Sequence, residues 1–230
     1  MLFFDPMYLV YMIPAFILMA ITSWYVKAAY GKWSRMPARS RMTGYDAARR
    51  LISTSGLYGV QIQGTPGELT DHYDPRNKTL FLSPGVANGA SVASLAIAAH
   101  ELGHAQQDAE EYFPLRFRAA LVPLVNIGSN LGWILIMIGL FLQWMQVAWL
   151  GVLVFSGGAV FALATLPVEF DASARAKRLL AESGIIQTEE EQRGVNAVLN
   201  AAALTYVAGL VTAILQLLYY VSLISGRSRD

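Results

Sequence analysis

The stretch His100-Glu101-Leu102-Gly103-His104 carries the most specific chemistry in this chain. Histidines four residues apart leave the same face of a helix, one turn from each other. That spacing lets two neutral imidazole nitrogens grip one Zn²⁺, with Glu101 beside the metal's open position. A carboxylate placed there can take a proton from zinc-bound water, whose pKa the metal has lowered. The chain holds three histidines, and two of them make this pair.

A catalytic zinc takes three protein ligands and keeps one position open. Beyond the two histidines, Glu169, Asp171, His72, Asp108, Glu110 and Glu111 are the candidates for the third. Asp108 lies four residues past His104 on the same helix, which carries it a further turn away, and Glu110 and Glu111 share that problem. Glu169 follows directly on an apolar stretch, where an unpaired carboxylate is costly. A metal would explain it, and so would the preference for acids in a first helical turn. His72 sits among Asp71, Tyr73 and Asp74. It reads as a donor to the transition state, as a base behind the metal ligands, or as a turn residue bonded to its own loop.

The elements that must hold these groups read as follows. Thr43-Gly44-Tyr45-Asp46 starts a helix that runs through Leu51 and stops near Gly56. Val60-Gln61-Ile62 and Thr79-Leu80-Phe81-Leu82 read as strands, with the Asp74-Pro75-Arg76-Asn77 turn between them. They predict a small sheet of two or three strands. A free strand edge near a metal site would let an extended peptide add as another strand. Thr79, Leu80, Phe81, Leu82 and Ser83 are the expected substrate-binding strand. Ser91 caps an alanine-rich helix that carries the histidine pair to about Asp108. Pro167 suits the first turn of a separate helix bearing Glu169. Thr188-Glu189-Glu190-Glu191 is a capping-box signature for the helix after it.

Composition sets the frame. Of 230 residues, 55% are hydrophobic and only 14% charged, with mean hydropathy +0.41. Soluble domains average near a quarter charged, so this is a membrane composition. A net charge of +1 offers no field for nucleic acid. Zero cysteines exclude disulfides, thiolate ligands and a cysteine nucleophile.

Four apolar stretches reach the length of a membrane span, near 7–26, 122–142, 147–166 and 201–224. The start, Met1-Leu2-Phe3-Phe4-Asp5-Pro6, has no basic region and does not read as a cleavable signal. Fifteen of the seventeen basic residues lie between spans one and two or between spans three and four. The positive-inside rule puts those segments in the cytoplasm and both termini outside, with Arg227 and Arg229 dissenting. The expected division is a membrane helix at 1–26, a cytoplasmic portion with the histidine helix at 27–121 and a membrane hairpin at 122–166. Cytoplasmic helices at 167–200, a fourth membrane helix at 201–224 and a tail at 225–230 complete it. Glycines at 128, 132, 139, 151, 157 and 158 offer small faces that join spans or join subunits.

Three pieces carry a resemblance: Leu69-Thr70-Asp71-His72-Tyr73-Asp74-Pro75, His100-Glu101-Leu102-Gly103-His104-Ala105-Gln106-Gln107 and Pro167-Val168-Glu169-Phe170-Asp171-Ala172-Ser173. With them the chain resembles the YugP family of membrane zinc metallopeptidases over nearly its full length. It is related in pattern to gluzincins of the HtpX and Ste24 type. The resemblance implies a mainly α membrane protein with about four transmembrane helices. To these it adds a cytoplasmic zincin-like α+β portion holding the small sheet. It implies one Zn²⁺ per chain, Glu169 as the third ligand beside His100 and His104, and peptidase activity with Glu101 as general base. It further implies peptide or membrane-protein substrates and a place in a prokaryotic cell membrane, the site facing the cytoplasm. Oligomers and membrane partner proteins stay open.

One position departs from the gluzincin pattern. Those proteins usually place an aspartate four residues after the ligand glutamate, where it supports a zinc histidine. Here that position is Ser173, a weaker partner than a carboxylate. Asp171, Asp71 or Asp74 are the expected substitutes. Ser173 also leaves room for a non-catalytic zinc-binding scaffold or regulator.

Overall fold

The computed structural model describes residues 6–227, so the start of the chain at 1–5 and Arg229 in the tail lie outside the described residues. Eleven elements follow in order among the described residues: α1 (Pro6–Trp33), α2 (Gly44–Thr54), β1 (Gln61–Gly64), β2 (His72–Asp74), β3 (Thr79–Leu82), α3 (Pro84–Ala87), α4 (Val92–Ala109), α5 (Phe113–Phe141), α6 (Met145–Phe155), α7 (Gly157–Glu182) and α8 (Glu189–Arg227). This is a mainly α membrane protein with a small α+β portion. Among the described residues, four helical stretches are long and apolar enough to cross a membrane: Pro6–Trp33, Phe113–Phe141, Met145–Glu182 and Glu189–Gly226.

The chain divides into two compact units. The first combines Met1–Thr22, Arg116–Pro167 and Thr205–Asp230. It has its own small core of Ile136, Leu140, Val152, Tyr219 and Ile224. Two glycines settle how α5 and α6 pack. A Cβ on Gly132 would lie 2.7 Å from the Phe155 nitrogen, and one on Gly151 would lie 2.6 Å from the Ile136 nitrogen. The small faces therefore join these two helices at a distance only glycine allows. A Cβ on Gly157 or Gly158 would meet no described residue within 4 Å.

The second unit combines Ser23–Leu115 and Val168–Leu204. Its core gathers Leu51, Leu80, Leu82, Leu95, Leu102, Leu180 and Leu199 around α4. Caps fix the helix starts. Thr43 and Asp46 form a capping box on α2, and the Ser91 hydroxyl accepts from the Ser94 N–H at 3.1 Å at the head of α4. Thr188 and Glu191 exchange the same pair of bonds at the head of α8.

Three sequence expectations are corrected. First, the sheet has the order β1-β3-β2, with β1 parallel and β2 antiparallel to β3. Thr79–Leu82 is thus the central strand, bonded on both sides, and Thr79, Leu80 and Leu82 are buried. Neither these residues nor Ser83, at its end, can offer a free edge; the outer strands are β1 and β2. Second, His72–Asp74 is a strand, not a loop. Third, the helix bearing Glu169 does not begin at Pro167. It starts at Gly157 and runs through the proline. A proline deprives an apolar helix of one backbone hydrogen bond and need not end it. Pro14 and Pro123 are likewise inside helices. The interruption falls instead at Ser156, between α6 and α7.

Candidate metal centre

Helices α4 and α7, both within the second unit at this level, bring the candidate ligands together. The Nε2 atoms of His100 and His104 lie 3.3 and 3.5 Å from the same oxygen, Oε2 of Glu169. One ligand atom from each of the three residues falls within 4.8 Å of the others. Two imidazole nitrogens and a carboxylate oxygen, nearly enclosed by protein, are a donor set that could hold a metal ion, of the kind zinc takes. Asp108, Glu110, Glu111, Asp171 and His72 are not in this cluster.

Close packing makes the convergence possible. A Cβ on Gly103, between the two histidines, would run into the carbonyl oxygen of Ala172 and lie 3.1 Å from its Cα. The backbones of α4 and α7 therefore touch at the turn that faces Glu169. Alanines 98, 99 and 105 of α4 and 172 and 176 of α7 are buried.

The far nitrogens of both rings are engaged. His104 Nδ1 lies 3.0 Å from Oε1 of Gln107, whose Nε2 donates to the Val168 carbonyl at 2.8 Å and to Asp171 Oδ2 at 2.9 Å. Both of those partners only accept, so the amide orientation is determined and its oxygen must face His104. His104 then carries its proton on Nδ1 and presents a bare Nε2 to the Glu169 side. His100 Nδ1 meets the Ser173 hydroxyl at 3.3 Å. Ser173 thus occupies the supporting place expected of an aspartate, and Asp171 supports the other histidine through Gln107. Behind Asp171, Arg175 donates Nε to it at 2.5 Å and an η nitrogen to Glu110 at 2.7 Å.

Sequence reasoning alone does not assign Gln107 to the site. Its one signal is position: it follows His104 by three residues, on the same helical face. Gln107→Leu keeps the volume and removes the acceptor. We expect a 10- to 100-fold weaker zinc affinity, on the order seen when such supporting groups are lost. Competition with a chromogenic chelator measures it.

Glu101 is held from the sheet side. Its Oε2 accepts the backbone N–H of Tyr73 in β2 at 3.1 Å. Burial pushes its carboxyl above the usual range, against the pull of His100 and His104. Tyr73 donates its hydroxyl to Asp108 at 2.9 Å, and burial together with that carboxylate pushes the phenol up. His72 is exposed, stacks on Phe81 with ring centroids 4.8 Å apart, and has Nδ1 2.9 Å from the Thr70 carbonyl. Asp71 accepts the Ser83 N–H and hydroxyl at 2.7 and 2.9 Å, tying the loop before β2 to the end of β3. Asp74 accepts from Arg76 and Asn77 within its own turn. Neither acid replaces Ser173 at the histidines.

No solved structure matches this chain. A curated relative, named "Putative membrane protease YugP" and from Bacillus subtilis (strain 168), is 41% identical over 206 residues. That match covers 89% of this chain and 91% of the relative. Residues 8–225 match a family described as "Putative neutral zinc metallopeptidase". The matched region includes the apolar helices, the His100-Glu101-Leu102-Gly103-His104 turn and Glu169, and on that match the chain belongs to this zinc metallopeptidase family.

Proposed function

We propose that this protein is a membrane-embedded, zinc-dependent endopeptidase that hydrolyses peptide bonds near the cytoplasmic face of the membrane. The observation that carries the reading is the convergence of His100 Nε2, His104 Nε2 and Glu169 Oε2 at one point. These three residues would hold one zinc per chain. Zinc bound there supplies Lewis acidity to a scissile carbonyl and lowers the pKa of water.

The chain's own residues do the rest. Glu101 takes a proton from the attacking water and delivers it to the leaving amine. The Tyr73 N–H keeps the Glu101 carboxylate in one orientation. Ser173 and Gln107 hold the two imidazoles with Nε2 turned inward. Glu169 follows the apolar part of α7 by a few residues, which favours substrates at or in the membrane: membrane proteins, their flanking segments, or unfolded chains close to the bilayer. The clustering of basic residues on the segments of the second unit favours its cytoplasmic placement.

Purified protein reconstituted into vesicles tests both parts. We expect about one zinc per chain, cleavage of an unfolded peptide that a chelator abolishes and zinc restores, and cleavage of external peptide by inverted but not right-side-out vesicles. A zinc-loaded protein that cleaves nothing would favour the scaffold reading instead.

A further inference from the structure

The first unit contains a cavity that the metal centre does not use. It measures about 430 Å³ and is bounded by α5, the α6–α7 junction and α8. Its wall includes Ser129, Asn130, Trp133, Gly158, Ala213 and Gln216. Three of these side chains are polar, in helices otherwise apolar enough to span a bilayer.

Depth gives the cavity its meaning. Asn130 lies twelve residues beyond Arg118 and eleven before Phe141, or about 18 and 16 Å along the helix. That is the middle of a hydrocarbon core about 30 Å thick. The Asn130 side chain is exposed, and no described residue hydrogen-bonds it. Gln216 has Tyr220 as a partner, which leaves part of its amide capacity unused. Lipid tails offer neither donors nor acceptors, and headgroups do not reach this depth. Polar side chains held there are expensive and mark sites of function. A group that satisfies them must arrive on another membrane-crossing segment.

The cavity also has the shape for one. A Cβ added to Gly158 meets nothing within 4 Å, and Ala159 and Ala213 keep the wall low. Small residues let a neighbouring helix backbone approach, and amides across the contact act as hydrogen-bonding glue. A concave wall suits a convex foreign helix better than its own copy, because a twofold contact would set two hollows against each other.

We propose that this cavity docks a transmembrane helix of a membrane-protein substrate, one that carries a polar side chain near its midpoint. The substrate role rests on the peptidase reading above; the preference for a polar helix does not. Binding is therefore measured without catalysis, on full-length Glu101→Gln protein in lipid nanodiscs. The probes are two synthetic 22-residue Leu/Ala transmembrane peptides with a photo-crosslinker, one with a central Asn and one with Leu there.

We expect the Asn peptide to bind about three- to tenfold more tightly, the range of single interhelical hydrogen bonds in membranes. Asn130→Leu removes that difference, and Ala213→Phe, which fills the cavity, lowers binding of both peptides. Unchanged helical circular dichroism and thermal melting check that the first unit of each variant is folded, and zinc content checks the second. Equal affinities for the two peptides, or a preference that survives Asn130→Leu, overturns the proposal. Crosslinks between copies at Asn130 that the peptides do not displace also overturn it, in favour of self-association. Zinc-loaded protein with Glu101 intact that cleaves nothing, while the Asn-peptide preference stands, would instead count against the peptidase reading alone.

Discussion

Glu101→Gln yields a folded, zinc-loaded protein that no longer cleaves. The amide matches the carboxylate in shape, and its oxygen still accepts the Tyr73 N–H that now orients Glu101. The three residues proposed to hold zinc are untouched, so we expect zinc binding to persist. The lost capacity is proton transfer: an amide can neither take a proton from water nor return one to a leaving amine. General acid–base groups typically contribute 10²- to 10⁴-fold, and we expect kcat/KM to fall by about 10³-fold or more with zinc near one per chain. Metal analysis and turnover on the same sample make the check. Undiminished cleavage from a preparation free of host proteases would falsify the role given to Glu101. Loss of zinc along with activity would mean that the residue holds the site together and does not only serve it.

The sequence and the structure agree most where one physical rule acts on neighbouring residues. The histidine spacing needs only a helix, and Ser91 and the alanines of α4 supply one. The capping boxes at Thr43 and Thr188 are local as well. Glu169 was one of six candidates until the resemblance singled it out, because its distance from the histidines is set by a membrane hairpin and not by spacing. Strand β2 was hidden for a different reason. Its three residues are too few to show an alternation, and the turn signal of Asp74-Pro75 masks them. Without β2 the sheet's edge cannot be located: β3 is apolar because both of its sides are covered, and from sequence the same apolarity reads as a strand to which a substrate adds. Pro167 misled because its preference for first turns is real, while the cost it imposes inside a long apolar helix is bearable. Gln107 carried no charge to draw notice, although it links His104 to the chain of Asp171, Arg175 and Glu110.

Gly103→Ala tests whether the contact between α4 and α7 sets the metal geometry. The new methyl would overlap the Ala172 carbonyl oxygen, which is backbone and cannot rotate away. Ordinary contact begins near 3.5 Å, so α7 must retreat by about 1 Å, or α4 must turn. Glu169 stands one turn before Ala172 on the moving helix, while both imidazoles stay with α4. A shift of about 1 Å at a reacting centre costs about 10²-fold in rate, and overpacking of this kind costs about 1–3 kcal/mol in stability. The two effects separate by what zinc does. If the glycine serves only packing, the variant melts earlier but keeps its zinc affinity and its turnover at low temperature. If it sets the spacing of the ligands, zinc affinity falls even where the protein is fully folded, and Gly103→Ser falls with it, since any Cβ meets the same carbonyl. We expect the second pattern: the space of one missing methyl brings the acid on α7 within reach of the two imidazoles on α4.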